Sequence, residues 1–545
     1  MESSSRRTTR AAAYLRAAIV AGMWVFLMLR LSQSNWLEMP DGPTFAVADD
    51  VYITADYART FASGDGPRWH PAAPRVEGFT SPLWLLFLAP FHAIPHFEEN
   101  RLGLYVLALN ALLLAATGFW LARLLEPILA PGDGQRSSAL RGALGWLFIV
   151  VAPLAAASLA SWAADGFEVV LVALLSVASF AEALAPAERL RERRIAVLLG
   201  LAFWTRMDAV FCCAPAALLV LAKLRRSRRT LRFAAWFASF AALLLISRKL
   251  YYGEWLPNTY YLKIAGWPLS KRLPYGLFQN GVTLHYYLYA GLPFLALSWY
   301  SLRRADRPLL LGLLPAAATL LYSTHNGGDF AWSAMGYDRY CAPALPLFVF
   351  SIGAVLFSIR SGRAVTALVA ALATTLAVGP LSGHWFTGIP FYDARLLHSF
   401  DPRYKPPENV LLGYMIYDGK ILRRVTRPAA RVALCAAGAI IYFSRRKGAD
   451  VLGKNDAHVA HLPAADRPGP NSRCFRYLAP PGHNKEDLVY TFSRFRPDVS
   501  LVEPPAAFRD EYVSFVADGH KYFGLDHSRS IDWRRVTDVK PLHGG

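Results

Sequence analysis

The sequence predicts a polytopic α-helical membrane protein that carries a C-terminal α/β domain. Of its 545 residues, 54% are hydrophobic and only 18% are charged, whereas soluble globular chains carry about 25% charge. The apolar residues form long runs up to about residue 381, and a polar tail of mixed composition follows them. This composition excludes a large soluble enzyme.

The formal net charge of +19, from 58 Lys and Arg against 39 Asp and Glu, raises the question of a nucleic-acid partner. Such binding requires basic residues that cluster on one soluble face. Here they stand in short bursts between the apolar runs, so no nucleic acid is predicted. Five cysteines are too few for a disulfide framework in a chain of this length.

A helix that crosses a bilayer needs roughly 20 mostly apolar residues. Runs of this kind predict about eleven spans, near 12–32, 101–124, 141–163, 167–186, 194–206, 208–224, 231–250, 282–301, 307–323, 341–358 and 363–381. The first run follows Arg6, Arg7 and Arg10 and has no small-residue cleavage site after it. It is therefore predicted as an uncleaved span with a cytoplasmic N-terminus.

The basic clusters test this threading, because Lys and Arg accumulate in cytoplasmic loops. The clusters lie at 136–141, 189–194, 225–229, 303–307 and 360–363. They fall on one side only if Ser81–Ile94 does not cross. Pro82 and Pro90 interrupt that stretch of 14 residues, so it suits a re-entrant or interfacial helix better than a span.

The predicted domains follow from the spans. A transmembrane domain covers 1–381 with a first outer loop at 33–100, a linker covers 382–430, and a tail domain covers 431–545. An odd number of spans places the tail on the extracytoplasmic side.

Within the tail, Val432–Tyr442 is apolar but too short to span, and it is predicted as a buried strand. Cys435 and Cys474 would lie in an oxidising compartment and either pair or stay apart. The three other cysteines lie in or beside spans and are interpreted as packing residues.

The same threading puts the polar motifs on the outer side. These motifs are Asp49-Asp50, the DGFE of residues 165–168, the RMD of residues 206–208, Tyr251–Lys263 and His325–Arg339. Ordinary loop polarity would distribute such residues on both sides. The pattern favours a shared extracytoplasmic site.

Asp49 and Asp50 open the first outer loop, and Val51–Ser63 after them predicts a short helix that ends at Gly64. In one interpretation Asp50 is the N-cap and Asp49 only favours the helix dipole. In the other, a carboxylate is held at the membrane surface beside a lipid-linked substrate. Adjacent helical residues face different ways, so we expect one base, Asp49, with Asp50 as cap or as ligand of a metal or substrate.

Three further carboxylates are candidate substrate-binding residues. Glu77 precedes a turn bracketed by Gly78 and Pro82 and either orients a sugar hydroxyl or stands in a simple helix entry. Asp165 and Glu168 end one predicted span and begin the next. Their spacing of three predicts that they share a face of a helical start.

Arg206, Lys263 and Arg339 are the candidate cations for a phosphate. Arg206 stands between two apolar runs, and it either forms an internal ion pair with Asp208 or holds a phosphate, for which its planar guanidinium is suited. Lys263 ends an aromatic-rich interfacial segment in which Asn258 is a candidate sugar contact.

Arg339 begins a later span, where a lipid phosphate would lie, and Asp329 lies in the Gly-containing connection before it. No spacing of cysteine and histidine resembles a zinc site. No Walker A loop or other nucleotide motif is present. The sequence therefore predicts neither a structural metal nor a nucleotide cofactor.

Read in order, these motifs resemble a known family. The segments ADDVYITADYARTF, RVEGFTSPLW, ADGFE, TRMD, YYGEWLPNTYYLK and GGDF with YDRYCAPALPL resemble the GT-C superfamily of polyprenyl-phosphate-dependent glycosyltransferases. The likeness is closest to the mycobacterial terminal arabinofuranosyltransferases and their proteobacterial relatives. The tail segment that begins AAGAIIYF is similar to that family's extracytoplasmic domain, and the likeness spans most of residues 15–500.

The resemblance implies a bacterial inner-membrane enzyme with its site and tail in the periplasm. Such enzymes move a sugar, D-arabinofuranose in the nearest-looking relatives, from a polyprenyl-phosphate donor to a cell-envelope glycan or protein. Asp49 matches the family's catalytic acidic residue of the first outer loop and Asp50 its partner. Asp165 and Glu168 match a second acidic position only loosely, since SGLE-like text is commoner there than DGFE. A divalent metal ion stays open because some relatives use one, and inversion or retention stays open too.

Two other function classes compete with a transferase. A secondary transporter would place ionisable residues near the middle of broken spans and would show related halves, whereas the carboxylates here stand in outer loops. A non-catalytic assembly or flipping subunit for envelope glycans would share the topology but tolerate Asp49→Asn.

Overall fold

The computed structural model describes residues 2–129, 138–225, 227–278, 280–281, 311–329, 339–358, 410–465 and 481–542. These residues are mostly helical. The helices are α1 (Glu2–Leu31), α2 (Asp49–Ala62), α3 (Pro82–His92), α4 (Leu102–Leu129), α5 (Ser138–Ala155), α6 (Ala157–Ala164), α7 (Val169–Ala183), α8 (Glu192–Thr205), α9 (Ala209–Leu224), α10 (Arg228–Tyr252), α11 (Asn258–Lys263), α12 (Leu314–His325), α13 (Leu345–Ser358), α14 (Val410–Val425), α15 (Ala439–Ser444), α16 (Ala457–His461) and α17 (Leu488–Phe495).

Several of these helices are apolar enough for a bilayer. Among the described residues, four stretches are long and apolar enough to cross one, namely Ala11–Asn35, Glu99–Leu129, Gly142–Ala164 and Arg228–Tyr252. Shorter apolar helices match other predicted spans, at Val169–Ala183, Ala209–Leu224 and Ala342–Phe357. The predicted spans near 282–301 and 363–381 lie outside the described residues, so the count of about eleven stays a prediction.

The chain divides into two compact units, and the division falls inside α4 and α10. The first unit lies within residues 1–33, 107–242 and 272–406. The second lies within 34–106, 243–271 and 407–545. The second unit therefore contains both the first outer loop and the tail, and each unit is described below by itself.

The predicted first outer loop, residues 33–100, contains two short helices, as the sequence predicts. The helix α2 confirms the prediction for Val51–Ser63, but Ala48 holds its N-cap position and no side chain caps it. The interpretation of Asp50 as N-cap is wrong, because both aspartates already lie in the first turn. The helix α3 has 11 residues and is therefore about 16 Å long at 1.5 Å per residue. It is too short to cross a bilayer, which agrees with the prediction that Ser81–Ile94 is not a span.

The tail contains the predicted α/β domain. Its strands are β3 (Arg431–Leu434), β4 (Lys447–Asp450), β5 (Val499–Ser500), β6 (Tyr512–Ala517), β7 (His520–Leu525) and β8 (Thr537–Pro541), after β1 (Trp36–Leu37) and β2 (Thr44–Phe45) of the first loop. The tail sheet has the order β4-β3-β5-β7-β6-β8. The strand β3 is parallel to both neighbours, and the remaining pairs are antiparallel.

One turn of the tail follows from local sequence, and one sequence prediction for the tail does not hold. The strands β6 and β7 form a hairpin across Asp518 and Gly519, which both have positive φ, as the favoured two-residue hairpin turn requires. By contrast, the predicted strand at Val432–Tyr442 is wrong beyond Leu434. The chain turns at Gly438 and continues as the wholly buried helix α15, and a short apolar run does not distinguish a buried strand from a buried helix.

The cysteines divide as their positions indicate. Cys435, which follows β3, is disulfide-bonded. Cys474, for which the sequence left pairing with Cys435 open, lies outside the described residues. Cys212, Cys213 and Cys341 are free and buried, in line with their interpretation as packing residues.

Candidate functional site

The Asp49 carboxylate is held by the backbone of the tail domain. Its Oδ1 accepts a hydrogen bond from the Ala439 N–H at 2.7 Å and its Oδ2 accepts one from the Gly438 N–H at 3.2 Å. A Cβ atom at residue 438 would lie 1.9 Å from the Asp49 carbonyl oxygen, so only glycine allows this approach. The two donors fix the carboxylate and leave about half of its lone-pair positions for another partner.

The environment of Asp49 changes its acidity. The side chain is partly buried, and this burial raises its pKa to about 6, with a smaller contribution from Asp50 and against the opposing effect of the Ala439 N–H. A carboxylate with such a pKa is ionised at neutral pH and is a stronger base than an ordinary aspartate. General bases work best when their pKa lies near the operating pH.

Asp50 faces a different partner, as expected of adjacent residues on a helix. Its Oδ1 contacts the Lys454 ammonium in a close ion pair. Both side chains remain partly exposed, at 35% for Asp50 and 21% for Lys454. The pair is therefore open to a competing ligand.

Asn258 contacts main chain, where a sugar contact was predicted. Its side-chain amide donates to the Gly453 and Lys454 carbonyl oxygens, each at 2.9 Å. Its own N–H donates to the Glu77 carbonyl oxygen at 3.1 Å. The residue is buried, so in this structure it positions the loop that carries Lys454.

Glu77 is engaged by an arginine. The Arg248 Nη2 donates to Glu77 Oε1 at 3.0 Å, and its Nε contacts Oε2. Both side chains are almost fully buried, at 4% and 2% exposure. This two-point ion pair occupies the carboxylate that was predicted to orient a sugar hydroxyl.

Replacing Glu77 by Gln should therefore destabilise the protein strongly. Breaking a buried ion pair leaves an uncompensated charge and costs roughly 3–5 kcal/mol. Thermal unfolding in detergent would show a lower midpoint for Glu77→Gln, and the double variant Glu77→Met/Arg248→Met should recover most of the loss. Wild-type stability in Glu77→Gln together with a raised donor KM would instead indicate a substrate contact.

Lys263 ends α11 and lies against Gly482 of the tail. A Cβ atom at Gly482 would lie 3.3 Å from Lys263 Cε. Burial lowers the pKa of the neighbouring His483 to about 4, and Lys263 contributes in the same direction. The buried Lys485 holds α11 in place, because its ammonium donates to the Tyr261, Ala265 and Ala460 carbonyl oxygens at 2.6–2.8 Å.

In the first unit, Arg206 forms the internal ion pair that its sequence position left open. It donates to both Asp208 oxygens at 2.9 and 2.7 Å and to Glu168 Oε1 at 2.9 Å. Its guanidinium also lies 5.1 Å from the Tyr340 ring centroid. Any phosphate at Arg206 would share it with two carboxylates.

Asp165 and Glu168 do not share a helix face, which corrects the expectation from their spacing. Asp165 occupies the C-cap of α6 and Glu168 the position before α7. Gly166 between them has a φ of +90°, so a turn replaces the expected helical start. Glu168 forms an ion pair with Arg206, whereas Asp165 is partly exposed.

Arg339 and Asp329 contact each other. The Arg339 Nε lies 2.6 Å from Asp329 Oδ2 and its Nη2 donates to Oδ1 at 3.2 Å. The guanidinium also lies 5.3 Å from the Phe167 ring centroid. The residues between 330 and 338 lie outside the described part of the chain.

A metal site was left open by the family resemblance. Within the described residues, no group of three or more His, Cys, Asp or Glu side chains is arranged to hold a metal ion. Sequence reasoning did not select Lys454, Gly438 or His483. A single lysine, glycine or histidine in a polar tail belongs to no periodic pattern or motif that would identify it as a site residue. Only its proximity to Asp50 or Asp49 in the folded chain identifies it.

Comparisons with known proteins give little beyond this geometry. A family profile described as "Domain of unknown function (DUF8728)" matches residues 415–538, within the tail. No curated protein matches the chain in sequence. Among solved structures, the crystal structure of ArnT from Cupriavidus metallidurans in the apo state is similar at 14% identity and a TM-score of 0.49, covering 81% of this chain and 86% of that chain. Similarity at this level does not assign a function.

Proposed function

We propose that this protein is a membrane glycosyltransferase that moves a sugar from a polyprenyl-phosphate donor to a cell-envelope glycan or protein. D-arabinofuranose is the sugar suggested by the resemblance of the motifs. Asp49 is the general base, and the reaction takes place on the extracytoplasmic face of a bacterial inner membrane.

The observation that carries this proposal is the arrangement of Asp49. Two backbone N–H groups orient its carboxylate, the residue is only partly buried, and burial raises its pKa to about 6. A structural aspartate is typically stabilised by partners that lower its pKa. An oriented, partly buried carboxylate with a raised pKa suits proton abstraction.

The chemistry then balances without a nucleotide. Asp49 accepts the proton of an acceptor hydroxyl, and the hydroxyl oxygen bonds to the anomeric carbon of the donor sugar. The bond from that carbon to the phosphate oxygen breaks, and polyprenyl phosphate leaves with the electron pair. A cation near the phosphate stabilises the charge that develops on it. Of the predicted cations, Lys263 lies in the same unit as Asp49, whereas Arg206 and Arg339 are each bound by carboxylates.

The disulfide at Cys435 supports an extracytoplasmic tail. Structural disulfides persist in oxidising compartments and are rare in the cytosol. The tail supplies the amides that hold Asp49, so a periplasmic tail goes with a periplasmic site. The four long apolar helices support a membrane location.

Sugar transfer by the purified protein in lipid nanodiscs tests the proposal. The donors are polyprenyl phosphates of arabinofuranose, mannose, galactose and an amino sugar, and the acceptors are oligosaccharides prepared from the cell envelope. We expect mass spectrometry to detect transfer from one donor, with release of polyprenyl phosphate. Folded protein that consumes none of the donors in the presence of these acceptors would contradict the proposal and favour a non-catalytic assembly role.

A further inference from the structure

The loop 450–456 after β4 is built around one buried carboxylate. Asp450 Oδ1 accepts from the Leu452 and Gly453 N–H groups at 3.0 and 3.1 Å. Its Oδ2 accepts from the Asn455 N–H at 2.7 Å and the Asn455 side-chain amide at 3.0 Å. Asp450 is 3% exposed. Four hydrogen bonds to one buried side chain set the conformation of this loop, and Lys454 lies within it.

The first outer loop and α11 both contact the same segment, residues 453–455. Asn258 donates to the Gly453 and Lys454 carbonyl oxygens. Tyr57 Oη lies 3.0 Å from Asn455 Oδ1. A Cβ atom at Gly78 would lie 1.9 Å from that same oxygen, so the chain segments are in close contact. The backbone of Lys454 is therefore held on both sides, and its side chain is directed to Asp50.

Two lysines and a histidine, whose lowered pKa leaves it neutral at pH 7, lie near this point. Lys454 pairs with Asp50, and the charges of Lys263, Lys454 and Asp50 all act on the His483 imidazole. Lys263 packs against Gly482, the residue before His483. Two lysine ammonium groups on neighbouring segments, one of them paired with a partly exposed carboxylate, are hydrogen-bond donors that suit a phosphate.

We propose that Lys454 of the C-terminal domain binds the donor phosphate, with Lys263 and His483 beside it. When no phosphate is bound, the Lys454 ammonium pairs with the Asp50 carboxylate instead. The inference rests on the proposed function for the identity of the phosphate-bearing ligand. A lysine donates up to three hydrogen bonds and acts on phosphate as a point charge. When the donor binds, its phosphate oxygens take the place of the Asp50 carboxylate on the Lys454 ammonium.

Binding of farnesyl phosphate to the full-length protein in nanodiscs tests this inference, with farnesol as the uncharged control ligand. A hydrogen bond to a charged group contributes about 1.5–3 kcal/mol, so Lys454→Gln should weaken farnesyl phosphate binding about 10-fold or more. Farnesol affinity should stay unchanged. Lys454→Arg should retain most of the affinity, and Lys521→Gln, at an exposed lysine of the same domain, should bind within about 2-fold of wild type.

A second variant tests the competition directly and keeps Lys454 in place. Asp50→Asn removes the competing carboxylate, so farnesyl phosphate should bind about 3-fold tighter or more. The same change in the Lys454→Gln background should bring no gain. Unchanged affinity in Lys454→Gln, or unchanged or weaker affinity in Asp50→Asn, would overturn the inference.

These readouts separate the inference from the proposed function. If phosphate binding depended on Lys454 but no donor supported sugar transfer, the proposed transferase function would be contradicted and the phosphate site would be retained. If the protein transferred sugar but Lys454→Gln bound farnesyl phosphate as tightly as wild type, the transferase function would be supported and the proposed role of Lys454 would be contradicted.

Discussion

Asp49→Asn should lower sugar transfer by about 10²–10⁴-fold, the contribution typical of a general base. The amide cannot accept the hydroxyl proton, yet it has nearly the same shape and its oxygen can still accept from the Ala439 N–H. The loss should therefore appear in kcat, with donor KM little changed. Initial rates with the active donor would measure it.

The control for this variant is Asp65→Asn, which changes an exposed aspartate of the same loop and should keep wild-type rates. Thermal unfolding should show that Asp49→Asn stays close to wild type in stability. The raised pKa means that the folded protein holds the proton more tightly than the unfolded chain does, so the ionised form of Asp49 lowers stability as the pH rises through about 6. Removing that charge offsets the loss of the hydrogen bond from the Gly438 N–H, which the Asn Nδ2 cannot accept.

The same group predicts the pH profile. Transfer needs the ionised carboxylate, so kcat should fall as the pH drops through about 6. If Asp49→Asn kept wild-type transfer, the base assignment would be wrong, and Asp50, Asp165 and Glu168 would be the next carboxylates to replace.

Gly438→Ala should reduce transfer by about 100-fold or more, although it replaces no ionisable residue. The new Cβ would lie 1.9 Å from the Asp49 carbonyl oxygen and 2.8 Å from its Oδ1. Contacts this short force the start of α2 and the start of α15 apart. A displacement of about 1 Å in a catalytic group is enough for a loss of this size. The measurement is the transfer rate beside that of Gly413→Ala.

Gly413 is the matched control because a Cβ there would lie 3.8 Å from Leu37 Cδ1, an ordinary contact. Gly413→Ala should keep wild-type rates. The double variant Asp49→Asn/Gly438→Ala should be about as slow as Asp49→Asn alone, since both changes act on one carboxylate. Additive losses in the double variant would show that Gly438 acts through something other than Asp49.

The elements that sequence determined by itself depend on local patterns. The helix after Asp49-Asp50, the short non-spanning helix at Pro82–His92 and the long apolar helices follow from apolar content, length and proline. The hairpin at Asp518-Gly519 has a turn sequence that permits its positive φ angles. Each of these features involves residues that are neighbours in the chain, so a short window of sequence contains the whole cause.

Tertiary structure decided which partner each polar residue takes. Glu77 pairs with Arg248, Arg206 with Glu168 and Asp208, and Asp50 with Lys454. The sequence identified most of these as charged candidates but could not tell an ion pair from a substrate contact, because the same side chain serves both. The apolar run at Val432–Tyr442 was equally ambiguous, and packing made part of it a helix.

The candidate site is the clearest case. The sequence predicted that Asp49 and Asp50 open an outer loop in a chain rich in apolar helices. It did not indicate that Gly438, Ala439 and Lys454, almost 400 positions further on, meet these aspartates. That meeting results from long-range packing within the second unit, and long-range packing depends on the shape of the folded chain, which no local spacing records.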